Sequence, residues 1–177
     1  IAALARDLGL QLHEKPPVLG IFPQVPTASG SRGGRTLQLY TFTTGSGKQR
    51  QAWQALHVSC ENPHGLTFQL GTQNFLSALG ALLGQQDVQV GDPVFDQRFV
   101  VRTNAADFLR AALLPEIRAA LLQHWPTRAG GANVKLEGEG LTYAEIGTFT
   151  EASTVERMNA MLEPLLTLAA LPEVYRK

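Results

Sequence analysis

Gly91-Asp92-Pro93-Val94-Phe95-Asp96-Gln97-Arg98-Phe99-Val100-Val101-Arg102-Thr103 combines turn chemistry with an alternating apolar pattern. Glycine accepts unusual backbone angles, an Asp side chain can bond its own backbone, and proline fixes φ while removing an N–H donor, so the first three residues predict a turn. Every second residue from Phe95 to Val101 would lie on one face of a strand, which places both phenylalanines on that face. We therefore predict a strand that begins after Pro93 and turns its aromatic face to the core.

The composition is that of one folded domain. The chain has 177 residues, of which 44% are hydrophobic and 17% are charged, so we expect a single domain spanning residues 1–177. Acidic and basic residues number 15 each, which gives a formal net charge of +0. A nucleic-acid-binding domain normally carries a basic excess that displaces counterions from phosphates. The charge balance therefore argues against a nucleic-acid partner.

The first half of the chain predicts a helix followed by a β-meander. Apolar residues at helical spacing within Ile1 to Leu12 predict a short amphipathic helix that ends at Gly9 or just after it, and residues 18–22 are a weak strand candidate. Pro, Ser, Gly, Arg and Thr without periodicity predict a long exposed loop from Pro23 to Gly34. Alternating patterns predict strands at 36–43, 51–60 and 66–70, the first two joined as an antiparallel hairpin through residues 44–49.

The second half predicts mainly helices. Helical spacing indicates a short helix at 75–83 and a longer one that Asn104 caps and that extends to about Trp125. Pro115 interrupts the longer segment, so we expect a kink or two abutting helices. A second hairpin is predicted from strands at 133–137 and 141–149, and a capping box at 153–156 begins the last helix.

The order of these elements indicates the fold class. Strands followed by helices, without regular β-α-β alternation, indicate an α+β domain. We expect a mainly antiparallel, curved sheet of about six strands, covered on one side by the C-terminal helices.

Several groups of residues suggest chemistry but have a simpler structural explanation. Gly45-Ser46-Gly47-Lys48 resembles part of a phosphate-binding loop, but the segment leads into a strand and lacks the remaining motif positions, so we expect a hairpin turn. Asp92 and Asp96 could act as paired carboxylates, but we expect Asp92 to organise the turn and Asp96 to meet Arg98 or a neighbouring charge. No cofactor motif is found.

Histidine and cysteine give no metal-ligand spacing. His13, His57, His64 and His124 are far apart in sequence. Cys60 is the only cysteine, which excludes an internal disulfide and a cysteine-based metal cluster within one chain. A strand would place Cys60 and His57 on opposite faces, so we expect a structural cysteine and no nucleophile–base pair. No metal site is predicted.

Four basic residues are the candidate binding residues. Arg32, Arg35, Lys48 and Arg50 would converge if the 23–34 loop met the tip of the first hairpin, and such a patch attracts anionic lipid head groups. A solvated patch without function is the alternative.

A family resemblance adds an expectation about location. The residues that carry it are Tyr40 to Arg50, Asp87-Val88 with Phe95 to Val101, and the Ala105 to Leu114 segment ending at Pro115. Together they resemble a group of uncharacterised bacterial proteins, often predicted to be membrane-tethered, in which a soluble domain follows one or two hydrophobic helices. The resemblance implies an upstream membrane anchor and a cytoplasm-facing or surface-facing domain, and it carries no catalytic residue. The chain starts at Ile1 and not at Met, which fits an expected upstream segment.

These observations favour a non-enzymatic binding or scaffolding domain beside a membrane, with the membrane surface or a membrane protein as its partner. Two alternatives stay open. One is a hydrolase that uses Asp92, Asp96 and a histidine, and the other is a sensor that holds a small apolar ligand between sheet and helix.

Overall fold

The computed structural model describes residues 1–13, 27–72, 86–127, 131–147, 149 and 152–176. The strand expected at 18–22, the helix expected at 75–83 and the start of the expected 23–34 loop lie outside these residues.

Nine strands of the described residues form one antiparallel sheet, on which the fold is built. The strands are β1 Gln11–Leu12, β2 Ala28–Arg32, β3 Arg35–Thr44, β4 Gln51–Ser59, β5 Phe68–Thr72, β6 Gln86–Val88, β7 Phe99–Thr103, β8 Ala132–Glu137 and β9 Gly140–Ile146. Their order across the sheet is β1-β2-β3-β4-β9-β8-β5-β7-β6. The α+β class, the antiparallel sheet and both predicted hairpins are confirmed, but the sheet has nine strands and not about six.

The helices of the described residues pack with one face of this sheet. They are α1 Ala2–Asp7, α2 Pro93–Arg98, α3 Ala106–Ala112, α4 Pro115–His124 and α5 Ala152–Val174. Leu39, Leu56 and Tyr143 from that face join buried residues of every one of these helices in one core cluster. The opposite face carries a smaller cluster of Trp53, Ala55 and Ala144. At 23 residues, α5 is about 35 Å long, and it packs on the central strands β4 and β9.

The prediction of a strand directly after Pro93 was wrong. Residues 93–98 form α2, in which Asp92 is the N-cap and Pro93 occupies the first turn, and the strand β7 begins only at Phe99. Phe95 and Phe99 still meet in the core, with ring centroids 4.7 Å apart. A spacing of four residues places two side chains on one face of a helix as well as of a strand, so the aromatic pattern fitted both structures.

The exposed loop predicted up to Gly34 was also wrong in its second part. Residues 28–32 form β2, which pairs with β3 through the two-residue turn Gly33-Gly34. Both glycines have positive φ, +57° and +79°, as a tight hairpin turn of the I′ type requires. The Gly-Gly pair was therefore the sequence signal for a hairpin at this position.

The segment around Pro115 forms two separate helices, which is one of the two arrangements that we expected. Pro115 begins α4, where its missing N–H removes no helical hydrogen bond. Asn104 does not cap α3, because its side chain accepts from the Thr67 N–H and donates to the Gly65 carbonyl. The hydroxyl of Thr103 accepts from the Ala105 N–H just before α3 begins.

Candidate functional site

The four predicted basic residues lie at two opposite ends of β3, so they do not form the single patch that we expected. Arg32 and Arg35 flank the Gly33-Gly34 turn and pair with each other in register. Lys48 and Arg50 lie in the turn beyond the other end of β3. The ten residues of β3 separate the two pairs by about 30 Å.

The arginine pair at the Gly33-Gly34 end is neutralised by α5. Arg32 Nη2 lies 2.8 Å from Glu163 Oε1, and Arg35 Nη2 lies 2.6 Å from Glu173 Oε1. These two ion pairs join the β2–β3 turn to the long helix. Their first role is therefore structural.

A cleft of about 410 Å³ opens beside the Arg35–Glu173 pair. Its lining consists of Gly34, Arg35, Ser59, Cys60, Glu61, Glu139 and Glu173. Arg35 Nη1 donates to the Ser59 carbonyl at 3.2 Å, which fixes the guanidinium at the wall. The cleft is polar and carries three carboxylates against one guanidinium, so it does not have the lining expected for an apolar ligand.

The thiol in this cleft is a poor nucleophile at neutral pH. Cys60 is buried, and desolvation raises the pKa of its thiol to about 11, with Arg35 opposing the shift and the charges of Glu173 and Glu139 adding to it. Nucleophilic attack by cysteine requires the thiolate. Cys60 thus behaves as the structural cysteine that the sequence predicted.

His57 lies on the opposite face of the sheet. Its Nδ1 is 3.0 Å from the Thr142 hydroxyl, and its ring occupies the space above Gly140, where a β-carbon would come within 2.1 Å of the imidazole. Burial lowers the pKa of His57. The imidazole is therefore a packing group that lies directly over Gly140.

Asp92 and Asp96 are both engaged by backbone N–H groups. Asp92 Oδ1 accepts from the Val94 and Phe95 N–H groups at the start of α2, and its Oδ2 lies 3.2 Å from Arg118 Nε. The two oxygens of Asp96 accept from Val90 and Gly91 at 2.9 Å each. Asp92 organises the turn as predicted, whereas Asp96 binds backbone and not the expected Arg98. The hydrogen bonds that the two carboxylates accept hold this turn together.

The structure also contains a buried polar network that sequence reasoning missed. Glu145 on β9, whose side chain is 1% exposed, accepts from Gln54 Nε2 at 3.0 Å and from the Tyr143 hydroxyl at 2.5 Å. Arg157 of α5 adds two further hydrogen bonds to the same carboxylate. The signal was present in the sequence, because Glu145 shares a strand face with Leu141 and Tyr143, where an apolar residue is expected.

The buried polar atoms of this network have hydrogen-bond partners, with one exception. Burial, followed by the charge of Glu145 and its hydrogen bond, raises the pKa of Tyr143 far above its ordinary value. The hydrogen bonding of the Arg157 guanidinium to the Glu145 carboxylate is the largest cause that raises the pKa of Arg157. Among the described residues, Gln54 Oε1 is buried without a hydrogen-bond partner. The network fastens the first turns of α5 to the middle of the sheet.

The Gly45-Ser46-Gly47-Lys48 segment is the turn between β3 and β4. Gly45 and Gly47 have φ of +75° and +55°, and residues 47–49 form a single 3₁₀ turn that leads into β4. A β-carbon at Gly45 would lie 2.4 Å from the Gln49 carbonyl oxygen, so the turn requires glycine there. No helix begins at this turn, so the helix N-terminus of a phosphate-binding loop is missing.

Two general features complete the description of candidate sites. In the described part of the chain, no group of three or more His, Cys, Asp and Glu residues is arranged to hold a metal ion. None of the helices formed by those residues has the length and apolar character needed to cross a bilayer.

Comparison with known proteins gives one informative similarity. No family model matches the chain, and no curated protein matches it in sequence. The fold is similar to the crystal structure of the mycobacterial trehalose monomycolate transport factor A, TtfA, with a TM-score of 0.57 over 98% of this chain and 93% of that one. The sequence identity is 10%, so the similarity is one of fold.

Proposed function

We propose that this chain is a non-catalytic binding domain that works at a membrane, as the soluble part of a membrane-anchored bacterial protein. The single observation that supports this most is the fold shared over 98% of the chain with a protein named as a transport factor. The family resemblance of the sequence, which implies a membrane-tethered domain, supports the same proposal.

The contacts of the titratable residues support a role without catalysis. Asp92 and Asp96 hold a turn, the Cys60 thiol has a pKa of about 11, and His57 packs against Gly140. The hydrolase alternative requires both aspartates with a histidine. In the structure both carboxylates instead accept hydrogen bonds from backbone N–H groups, and Asp92 also pairs with Arg118. The apolar-ligand alternative gains no support from the cleft beside Arg35, because that cleft is polar.

Sedimentation with native membranes tests the proposed function. The purified chain is mixed with inner-membrane vesicles from a bacterium, and the fraction that pellets is compared with a sample without vesicles. We expect the chain to pellet with the vesicles. A chain that stays in the supernatant at every vesicle concentration contradicts the proposal.

A further inference from the structure

The charges of the chain are distributed unevenly along the sequence. Residues 15–60 contain no acidic residue, although the whole chain carries 15. The described part of this segment holds Arg32, Arg35, Lys48 and Arg50. Since Glu163 and Glu173 neutralise the two arginines at one end of β3, the unbalanced positive charge lies at the other end.

Lys48 and Arg50 are exposed and make no ion pair in the part of the chain that the structure describes. The hydrogen bond of the Arg50 guanidinium goes to the Thr43 hydroxyl at 3.4 Å, which leaves its charge uncompensated. Both residues lie in the turn that joins β3 to β4. We call residues 41–52, which include this turn, the hairpin end.

Among the described residues, the hairpin end extends beyond the strands that pair with β3 and β4 on either side. On one side, β2 pairs with β3 only as far as Leu39, and on the other side β9 pairs with β4 only from Trp53. Thr43, Thr44 and the following turn are therefore held mainly by the hairpin itself. A hairpin end of this kind can contact a flat surface.

Three aromatic rings lie on the face of the hairpin opposite the main core, and of these Trp53 is buried. Phe42 stacks on Trp53 with centroids 5.7 Å apart, and Tyr40 lies 6.1 Å from Phe42. Tyr40 and Phe42 are half-buried, and Trp53 Nε1 donates to the Thr44 hydroxyl at 2.8 Å. Aromatic rings beside Lys and Arg are the composition that proteins place at the head-group level of a bilayer.

The first residue lies at the same end of the sheet. The Ile1 amino group donates to the Phe149 carbonyl at 3.1 Å, just past the end of β9, and the last residue of β9 pairs with Trp53. The upstream anchor that the family resemblance implies would leave the domain at this end. The hairpin end would then face the bilayer.

We infer that the hairpin end, through Lys48 and Arg50, docks on the anionic lipid head groups of a membrane. This inference rests on the proposed function and names the surface that serves it. The Arg32 and Arg35 end of β3 takes no part, because its charges are already paired with α5.

The test is sedimentation of the purified chain with vesicles of phosphatidylcholine, with and without phosphatidylglycerol. The variant Lys48→Gln/Arg50→Gln is compared with a control, Arg110→Gln/Arg176→Gln. The control also loses two positive charges, but at exposed positions away from the hairpin end. We expect the chain to bind only when phosphatidylglycerol is present. At ~1 kcal/mol per basic residue, the hairpin variant should have an approximately 25-fold lower partition coefficient. The control variant should bind like the wild-type chain. Added salt should release the wild-type chain, because exposed charges are screened.

Three outcomes would overturn the inference. One is a hairpin variant that binds as tightly as the control, and another is binding that is equal with and without phosphatidylglycerol. The third is a wild-type chain that pellets with native membrane vesicles but not with anionic lipid alone, which would point to a membrane protein as partner and leave the proposed function standing. Failure with both native and lipid vesicles contradicts the two proposals together.

Discussion

Arg157 donates two hydrogen bonds to the buried carboxylate of Glu145, from Nε to Oε2 and from Nη2 to Oε1, each of 2.8 Å. The two residues belong to different layers, since Glu145 lies on β9 and Arg157 on α5. A bidentate pair of this kind fixes both position and orientation. The pair therefore sets where the long helix begins on the sheet.

Removal of the arginine from this pair should lower stability strongly. Arg157→Met leaves the Glu145 charge buried with fewer compensating donors, and loss of one partner of a buried pair costs about 3 kcal/mol or more. The surface pair of Arg32 and Glu163, with side chains 47% and 69% exposed, is the matched control. Glu163→Gln should lower the free energy of unfolding by less than about 1 kcal/mol. Equal losses in urea unfolding would contradict the structural role of the buried pair.

The cap of α2 should be worth a measurable part of the stability. Asp92→Ala removes the acceptor for the Val94 and Phe95 N–H groups, and loss of an N-cap costs about 1 kcal/mol, with a further loss from the Arg118 contact. Asp92→Asn keeps an acceptor oxygen and should be less destabilising. Thermal unfolding of both variants measures the difference. An alanine variant as stable as the asparagine variant would show that capping is not what Asp92 contributes.

The Cys60 thiol should react slowly in the folded chain. Its pKa of about 11 keeps it protonated at neutral pH, so alkylation by iodoacetamide, followed by mass spectrometry, should be much slower in buffer than in guanidinium chloride. The unfolded chain loses the thiol proton at lower pH than the folded chain, so the thiol should also reduce stability as the pH rises from about 9 to about 11. Equal alkylation rates in the two solvents would contradict the burial.

His57 should make the fold less stable in mild acid. Burial lowers its pKa from the ordinary value of 6.5, so below that pH the unfolded chain binds more protons than the folded chain, and stability falls as the pH falls. His57→Gln should reduce this dependence below pH 6.5. Denaturant unfolding at several pH values measures the slopes. A slope that His57→Gln does not change would show that another group causes the acid sensitivity.

Local sequence patterns correctly predicted elements that have one apolar face and one polar face. The β3–β4 hairpin followed from alternation on both sides of a glycine-rich turn, and the structure pairs Leu39 with Leu56 on the core face. The Asp92 turn followed from its residue types. The helix at Pro93 was missed because the spacing of Phe95 and Phe99 fits a helix and a strand equally well.

Long-range partners could not be predicted from local patterns. Arg32 meets Glu163 and Arg35 meets Glu173 only because α5 passes the β2–β3 turn in the folded chain. The sequence alone placed both arginines with Lys48 and Arg50 in one patch. Glu145 was a visible exception on an apolar strand face, but its partner Arg157 lies on another element.

The length and position of α5 also affect how the chain folds during synthesis. Its side chains Met158, Leu162 and Leu165 complete the core on the sheet, and Glu173 reaches Arg35 near the start of the sheet. A ribosome makes the strands before this helix, so the part of the apolar sheet face that α5 covers stays exposed until residues near 175 have left the exit tunnel. Release of the finished domain should therefore be a late and cooperative event, and a chain stalled before α5 should be a substrate for chaperones.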